Sequence, residues 1–269
     1  MLIESALEAH YVRRDESLRL TSTVKGQFEL ARMQHLLGSY LPDPPAVVGD
    51  IGGGPGIHAR WLRDRGYSVE LLDPIPHHVE QARSAGIDAL VGDARKLPWE
   101  DEHFDAVLMA GPLYHLTRLE DRLTAIHEAT RVTRPGGFVA VVAISRAANL
   151  IGAMLANELP QREPVVREIL EAGFSPANDR MAETTYHTVS QLRQEMTGRG
   201  LRSITVHGLT GPGGWLTVAL DAHFHTQQPP PTLTDPDPLQ TALTCSRIAD
   251  RFPELLPASS QFFAVGQRI

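Results

Sequence analysis

Between residues 46 and 145, short apolar runs alternate with stretches whose apolar positions recur every three or four residues. The runs AVVGDI (46–51), YSVELLD (67–73), IDALVGD (87–93), FDAVLMAG (104–111) and GGFVAVVAIS (136–145) predict five buried strands. The stretches IHARWLRDRG, HHVEQARSAG and RLEDRLTAIHEATRVT predict the helices between them, two of them ending at Gly66 and Gly86. Strands that alternate with helices need right-handed crossovers and give a mainly parallel sheet covered on both faces. The rhythm breaks after Arg146. LIGAML (150–155) and VVREILEAGF (165–174) look helical, TVSQLRQEMTGRG (188–200) is a further helix, and LRSITVHGL (201–209) and SQFFAVGQR (260–268) are two more strands. QQPPPTLTDPDP, residues 227–238, reads as a loop.

These patterns divide the chain into four parts. Residues 1–45 form a polar helical cap, and 46–146 a Rossmann-like core. Residues 147–188 form a helical lid or insertion, and 189–269 return to the core sheet and carry the Pro-rich loop at 227–238. The expected fold is α/β, with a mainly parallel seven-stranded sheet, helices on both faces and a helical lid insertion.

Four glycines, Gly52, Gly53, Gly54 and Gly56, stand between the first strand and its helix. In open parallel sheets ligands bind beyond the carboxyl ends of the strands. Glycines let the backbone approach such a ligand, and the helix start offers free N–H groups. Gly54-Pro55-Gly56-Ile57-His58-Ala59 fits the dinucleotide pattern G-x-G-x-x-A. Asp73 closes the second strand, where a carboxylate can accept both hydroxyls of a ribose. These features suit nicotinamide and other adenosine cofactors alike.

The stretch VGDARKLPWEDEHFDAVLMAGPLYHL (91–116) separates them. With it, most of residues 46–145 resembles class I S-adenosylmethionine-dependent methyltransferases. Asp50-Ile51-Gly52-Gly53-Gly54-Pro55-Gly56 looks like their glycine loop, Asp73-Pro74 like their ribose acid, and Gly92-Asp93-Ala94 like their adenine turn. Leu97-Pro98, Phe104-Asp105-Ala106-Val107 and Arg134-Pro135-Gly136-Gly137 complete the likeness. GPLYHL and GLTGPGGW (208–215) point to the bacterial small-molecule, type 11-like members, many of them from natural-product pathways. The usual Glu before the Gly-Pro-Gly run is Thr210 here, so no role of that Glu carries over.

The resemblance implies S-adenosylmethionine as donor and S-adenosylhomocysteine as product. Asp50 and Gly52 to Gly56 would hold its methionine part, Asp93 and Ala94 the adenine, and backbone near Met109 and Ala110 the amino group. Tyr11 would cover the sulfonium, and Arg32 would pair with the donor carboxylate. The acceptor would be a small molecule, aromatic or indolic, methylated on oxygen, nitrogen or carbon. Tyr114, His115, His187 and His207 are the catalytic candidates, with Tyr186 beside them. Histidine takes protons near neutrality, but His115 could equally pack the following helix. An oxidoreductase using NAD(P), and a non-catalytic protein that binds the donor, remain the rival readings.

Composition narrows partners and compartment. A net charge of −7, with Lys25 and Lys96 the only lysines, argues against nucleic acid. The first residues carry acids and no long apolar run, and no stretch reaches about 18 apolar residues, which speaks against a leader or a membrane span. The single Cys245 fits a reducing, cytoplasmic setting. His77-His78 and His223-x-His225 lack a third ligand and read as solvated faces, so no metal is expected. Leu150, Ile151, Met154, Leu155 and Phe174 could line an acceptor pocket, make a small core or form a homodimer face.

Overall fold

A computed structural model describes residue 11 and residues 16–178, 181–223 and 237–269. The core holds β1 (Val47–Ile51), β2 (Ser68–Asp73), β3 (Asp88–Val91), β4 (Phe104–Met109), β5 (Thr133–Ile144), β8 (Leu201–Gly208) and β9 (Gln261–Arg268). They form one seven-stranded sheet in the order β3-β2-β1-β4-β5-β9-β8. The first five pair in parallel, while β9 runs antiparallel to both β5 and β8. The short strands β6 (Phe174–Ser175) and β7 (Thr184–Thr185) pair separately, within the insertion.

Period-two alternation sorts the strand side chains between two layers. Val107, Met109, Val139, Val141, Phe262 and Ala264 pack with Ala125, Ile126 and Ala129 of α5 (Leu119–Val132) and with Leu192 and Met196 of α8 (Val189–Met196). Leu108, Ala140, Val142, Phe263 and Val265 point the other way, onto Met33, Leu36 and Leu37 of α1 (Val24–Gly38). Leu71 meets Ala59 of α2 (Ile57–Arg63) and Val79 and Ala82 of α3 (Pro76–Ser84). The alternation of helices and strands thus appears where the pattern places it, but IDALVGD is not a buried strand: β3 is the edge of the sheet, paired on one side only, and its Leu90 and Val91 are exposed.

Local signals set the ends of elements. Thr23 caps α1 by accepting from the Gly26 N–H, and Thr188 with Gln191 makes a capping box on α8. GPLYHL folds as the short helix α4 (Pro112–His115), whose first position suits a proline. The insertion holds α6 (Ala147–Leu155) and α7 (Leu159–Ala172). Besides α4, two longer helices escape the pattern reading: α9 (Gly213–His223) and α10 (Pro238–Ala249). The expected loop at 227–238 lies outside the described residues up to 236. Its last two residues belong to α10, because the Asp237 carboxylate caps the Leu239 N–H and Pro238 opens the helix.

Candidate functional site

The glycine loop turns sharply off the end of β1. The Gly52 N–H donates to the Leu72 carbonyl at 2.6 Å, and the Gly54 N–H to Asp73 Oδ2 at 2.8 Å. Gly52 has φ +73°, and a Cβ there would stand 2.6 Å from Pro112 Cδ. Both the backbone conformation and the proline of α4 therefore exclude a side chain. Gly56, at φ +82°, caps α2. Asp73 also accepts from the Ile75 N–H at 2.9 Å, and its Oδ1 lies 3.2 Å from His78 Nδ1. One carboxylate thus clamps the loop to β2 and α3. His78 is buried against it, which corrects the reading of that histidine as a solvated face.

Beyond this loop lies a cavity of about 260 Å³. Its walls bring together Gly52, Gly53, Gly54, Asp73, Pro74, Asp93, Ala94 and Ala110 with Tyr11, Tyr114 and His115. The Tyr11 hydroxyl stands 2.7 Å from His115 Nε2, and the Tyr11 ring meets the His78 ring edge-on at 5.2 Å. Burial first, and then the neighbouring Tyr114, push the Tyr11 phenol well above its ordinary range. It therefore keeps its proton and shares a hydrogen bond with His115 Nε2. Burial also pushes Tyr114 up to about 12.

Asp93 is partly buried, which works against its charge, yet its bonds from Arg95 hold the carboxyl below the usual range. Arg95 reaches on to Asp121 at 3.1 Å. Among the described residues, five carboxylates line the cavity: Glu16, Asp73, Asp93, Asp121 and Glu183. Three guanidinium groups join them: Arg19, Arg95 and Arg118. The surplus of acid suits a ligand that carries positive charge.

Asp50 lies behind the loop rather than on the cavity wall. It is fully buried, and neither carboxylate oxygen has a partner of ordinary geometry, the Ala59 N–H being the one backbone group that approaches. Burial, and then the charge of Asp73, push its carboxyl up to about 7. Gly56 and Met109 also stand behind the wall. The Met109 side chain is committed to the core.

Three expected side chains do not reach the cavity. Arg32 is wholly buried, and its guanidinium is spent on Asp250 at 2.8 Å and on the carbonyls of Leu209 and Gly208. It braces α1 against the turn after β8 and has no edge left for a ligand. His187 is buried on Glu195 at 3.2 Å, inside a network with Arg122. His207 contacts the Tyr40 hydroxyl at 2.5 Å on the α1 side of the sheet. Tyr186 is buried as well and lines none of the cavity. From the described residues of the insertion, only Ala182 and Glu183 reach the wall. Leu150, Ile151, Met154, Leu155 and Phe174 do not line it, and Leu150 and Met154 face solvent. Among the described residues no cluster of His, Cys, Asp and Glu is placed to hold a metal, and His225 lies outside them.

The pattern reading missed Glu16, Arg19 and His58. Arg19 pairs with Glu16 and with Glu29, the latter at 3.1 Å, and Glu29 also takes Lys25 at 2.5 Å. The signal available was the spacing Glu16-x-x-Arg19, which stacks a carboxylate and a guanidinium on one turn. His58 is the second residue of α2 and stands on the cavity wall.

Residues 49–141 match the model of a methyltransferase domain. An uncharacterised methyltransferase of Mycobacterium tuberculosis is 36% identical over 135 residues, which cover 48% of this chain and 54% of that protein. The chain therefore spans about half the length of the first curated relatives it matches. A ubiquinone/menaquinone biosynthesis C-methyltransferase of Azotobacter vinelandii is 30% identical over 175 residues, covering 60% of this chain and 68% of that one. A solved SAM-dependent methyltransferase of Methanosarcina mazei shares the fold with a TM-score of 0.57, at 18% identity, over 87% of this chain and 97% of its own. A glycine loop clamped by the acid that ends β2, a sheet of this strand order and a relative matched over two thirds of its length agree: the chain belongs to the class I S-adenosylmethionine-dependent methyltransferases.

Proposed function

We propose that the chain transfers a methyl group from S-adenosylmethionine to a small-molecule acceptor, leaving S-adenosylhomocysteine. The observation that carries this is the single cavity in which the glycine loop, Asp73 and the Asp93-Ala94 turn face Tyr114 and His115. The donor, when bound, supplies a methyl already activated on a sulfonium. The wall fits it: backbone at Gly52 to Gly54 would lie against the methionine part, Asp73 would hold the ribose, and Asp93-Ala94 would hold the adenine. Asp50 adds a buried acid behind the loop, near the positive charge the donor would bring.

The chain's own work is to align the acceptor, which is worth up to roughly 7–11 kcal/mol in well-oriented reactions. His115 Nε2 is the atom that takes the acceptor's proton, once the Tyr11 hydroxyl gives way. An aromatic or indolic acceptor suits this, since a phenol, an indole or a carbon acid gains nucleophilicity on losing a proton. We place the reaction among small natural products in the cytoplasm. The acidic cavity offers no track for a phosphate backbone, and no described helix is long and apolar enough to cross a membrane.

Single-turnover rates and calorimetric titration of S-adenosylhomocysteine test the two halves of this reading. His115→Gln should lower the rate roughly 10²–10⁴-fold and abolish its rise with pH between about 6 and 9, with donor affinity intact. Near wild-type rates would reduce His115 to packing. Asp73→Ala should weaken the titrated product, because hydrogen bonds to a charged group contribute about 1.5–3 kcal/mol each. Unchanged affinity would remove the donor from this loop.

A further inference from the structure

His115 stands at the end of α4, a helix of only four residues. One turn does not hold itself, because nucleating a helix fixes several residues for a single hydrogen bond. The bond that closes this turn runs from the Leu116 N–H to the Pro112 carbonyl at 3.0 Å. The direction of the His115 ring is therefore set from outside the helix. At the start of the turn, Pro112 lies against Gly52 and Leu113 is buried in the core. At its end come the carbonyls of Leu116 and Thr117, groups that a helix terminus leaves without internal partners.

Arg122 takes both. Its Nη1 donates to the Leu116 and Thr117 carbonyls, each at 3.0 Å, and lies 3.5 Å from Thr185 Oγ1 of the insertion. The other edge of the guanidinium is fixed, since Nε and Nη2 fork onto Glu195 at 2.8 to 3.1 Å. Arg122 and Glu195 are both buried. Glu195 Oε2 also stands 3.2 Å from His187 Nε2. His187 in turn is stitched to the end of β5. Its N–H donates to the Ile144 carbonyl at 2.7 Å, and its carbonyl accepts from the Arg146 N–H at 3.0 Å. A continuous line of bonds thus runs from the central sheet to the two residues that follow His115. Arg122, Glu195 and His187 themselves line none of the cavity.

Resting on the reading of His115 as the proton acceptor, we propose that Arg122, aimed by Glu195 and His187, is a positioning residue for the reaction. It fixes the Leu116-Thr117 rim and, through it, the His115 imidazole. A guanidinium suits this task where an ammonium does not: its rigid fork serves a carboxylate on one edge while the remaining nitrogen holds the carbonyls. The placement matters, because a reacting group displaced by about 1 Å loses roughly 10²-fold in rate. His187 then acts at two removes from the chemistry. Because Thr185 and His187 close the insertion, the same bonds tie its end to the rim.

Two variants of the whole chain test this. Arg122→Lys keeps the charge but not the fork, and Arg122→Met with Glu195→Leu removes both buried charges together, so neither leaves a lone buried ion. NMR on isotope-labelled histidine, with His115 assigned through His115→Gln, reads the ring directly. Hydrogen exchange reads the Leu116 N–H, and calorimetry with S-adenosylhomocysteine reads the donor wall. In both variants the His115 signal should shift or broaden, and the Leu116 N–H should exchange roughly tenfold faster or more. Exchange in β1 and β4 and the affinity for S-adenosylhomocysteine should match wild type. An unchanged His115 signal and Leu116 exchange would overturn the proposal. So would an even rise in exchange across β1, β4 and α4, or lost product binding in both variants, since the network would then stabilise the fold with no particular hold on His115. Failure of the underlying reading looks different: His115→Gln would turn over at the wild-type rate while the His115 signal still moves in Arg122→Lys.

Discussion

Asp50 shows how one side chain can set a pH dependence for the whole fold. Its carboxyl is raised to about 7 by burial and by Asp73, against an ordinary value of about 3.9. In acid, folded and unfolded chains both hold this proton, and the contribution of Asp50 to stability is complete. As pH rises through about 4 the unfolded chain releases the proton while the folded one keeps it, so stability falls until the folded carboxyl ionises near 7. The loss is of the order of a few kcal/mol. Asp50→Asn should flatten the dependence of Tm on pH between about 4 and 7 and raise Tm at about pH 8. An unaltered Tm profile would mean that the carboxylate is hydrated in solution. The sequence marks Asp50 as part of a glycine-loop motif, but not its isolation, which depends on α2 and β2 closing over it.

Legibility varied by element for a physical reason. The strands around Val107, Val139 and Phe263 are buried on both faces and read as unbroken apolar runs. Asp73 was legible because it ends such a run at a topologically special place. Arg32, inside α1, and His187 and His207, near strand ends, misled because a polar residue looks the same in sequence whether it meets a ligand or another buried polar group. What decides is the partner: Asp250 and Tyr40, far along the chain, for Arg32 and His207, and Glu195, on the next helix, for His187. α9 and α10 were hidden by the glycine-rich and proline-rich stretches at their starts.

Arg122 on α5 is the clearest coupling between elements. It donates to both oxygens of Glu195 on α8 and, through Nη1, to the carbonyls of Leu116 and Thr117 on the cavity rim, each at 3.0 Å. Arg122→Met should cost about 3–5 kcal/mol, because Glu195 stays buried with one partner fewer. Adding Glu195→Leu should restore much of that loss. Denaturant midpoints for the two variants and the double variant measure it, and a single variant as stable as wild type would show that the network is solvated.

At the scale of the whole molecule, β9 lies between β5 and β8, although those two strands precede it in the chain. It brings Phe262, Phe263, Ala264 and Val265 into the core, all at most 1% exposed. A chain ending at Ser260 would lose more apolar burial than the 5–15 kcal/mol that typically holds a domain together. Circular dichroism should show no cooperative melting for it, and a sharp transition would mean that the sheet closes without β9. The same arrangement sets a schedule for synthesis. The five parallel strands can assemble once residue 144 is clear of the ribosome, but β8 emerges with no neighbour to pair with. At roughly 5–20 residues per second, the open flank of β5 stays exposed for several seconds before β9 arrives. An apolar strand edge is most prone to join another chain in that interval. The yield of soluble protein should therefore depend on how fast residues 209–260 are translated and on whether a chaperone shields the edge meanwhile.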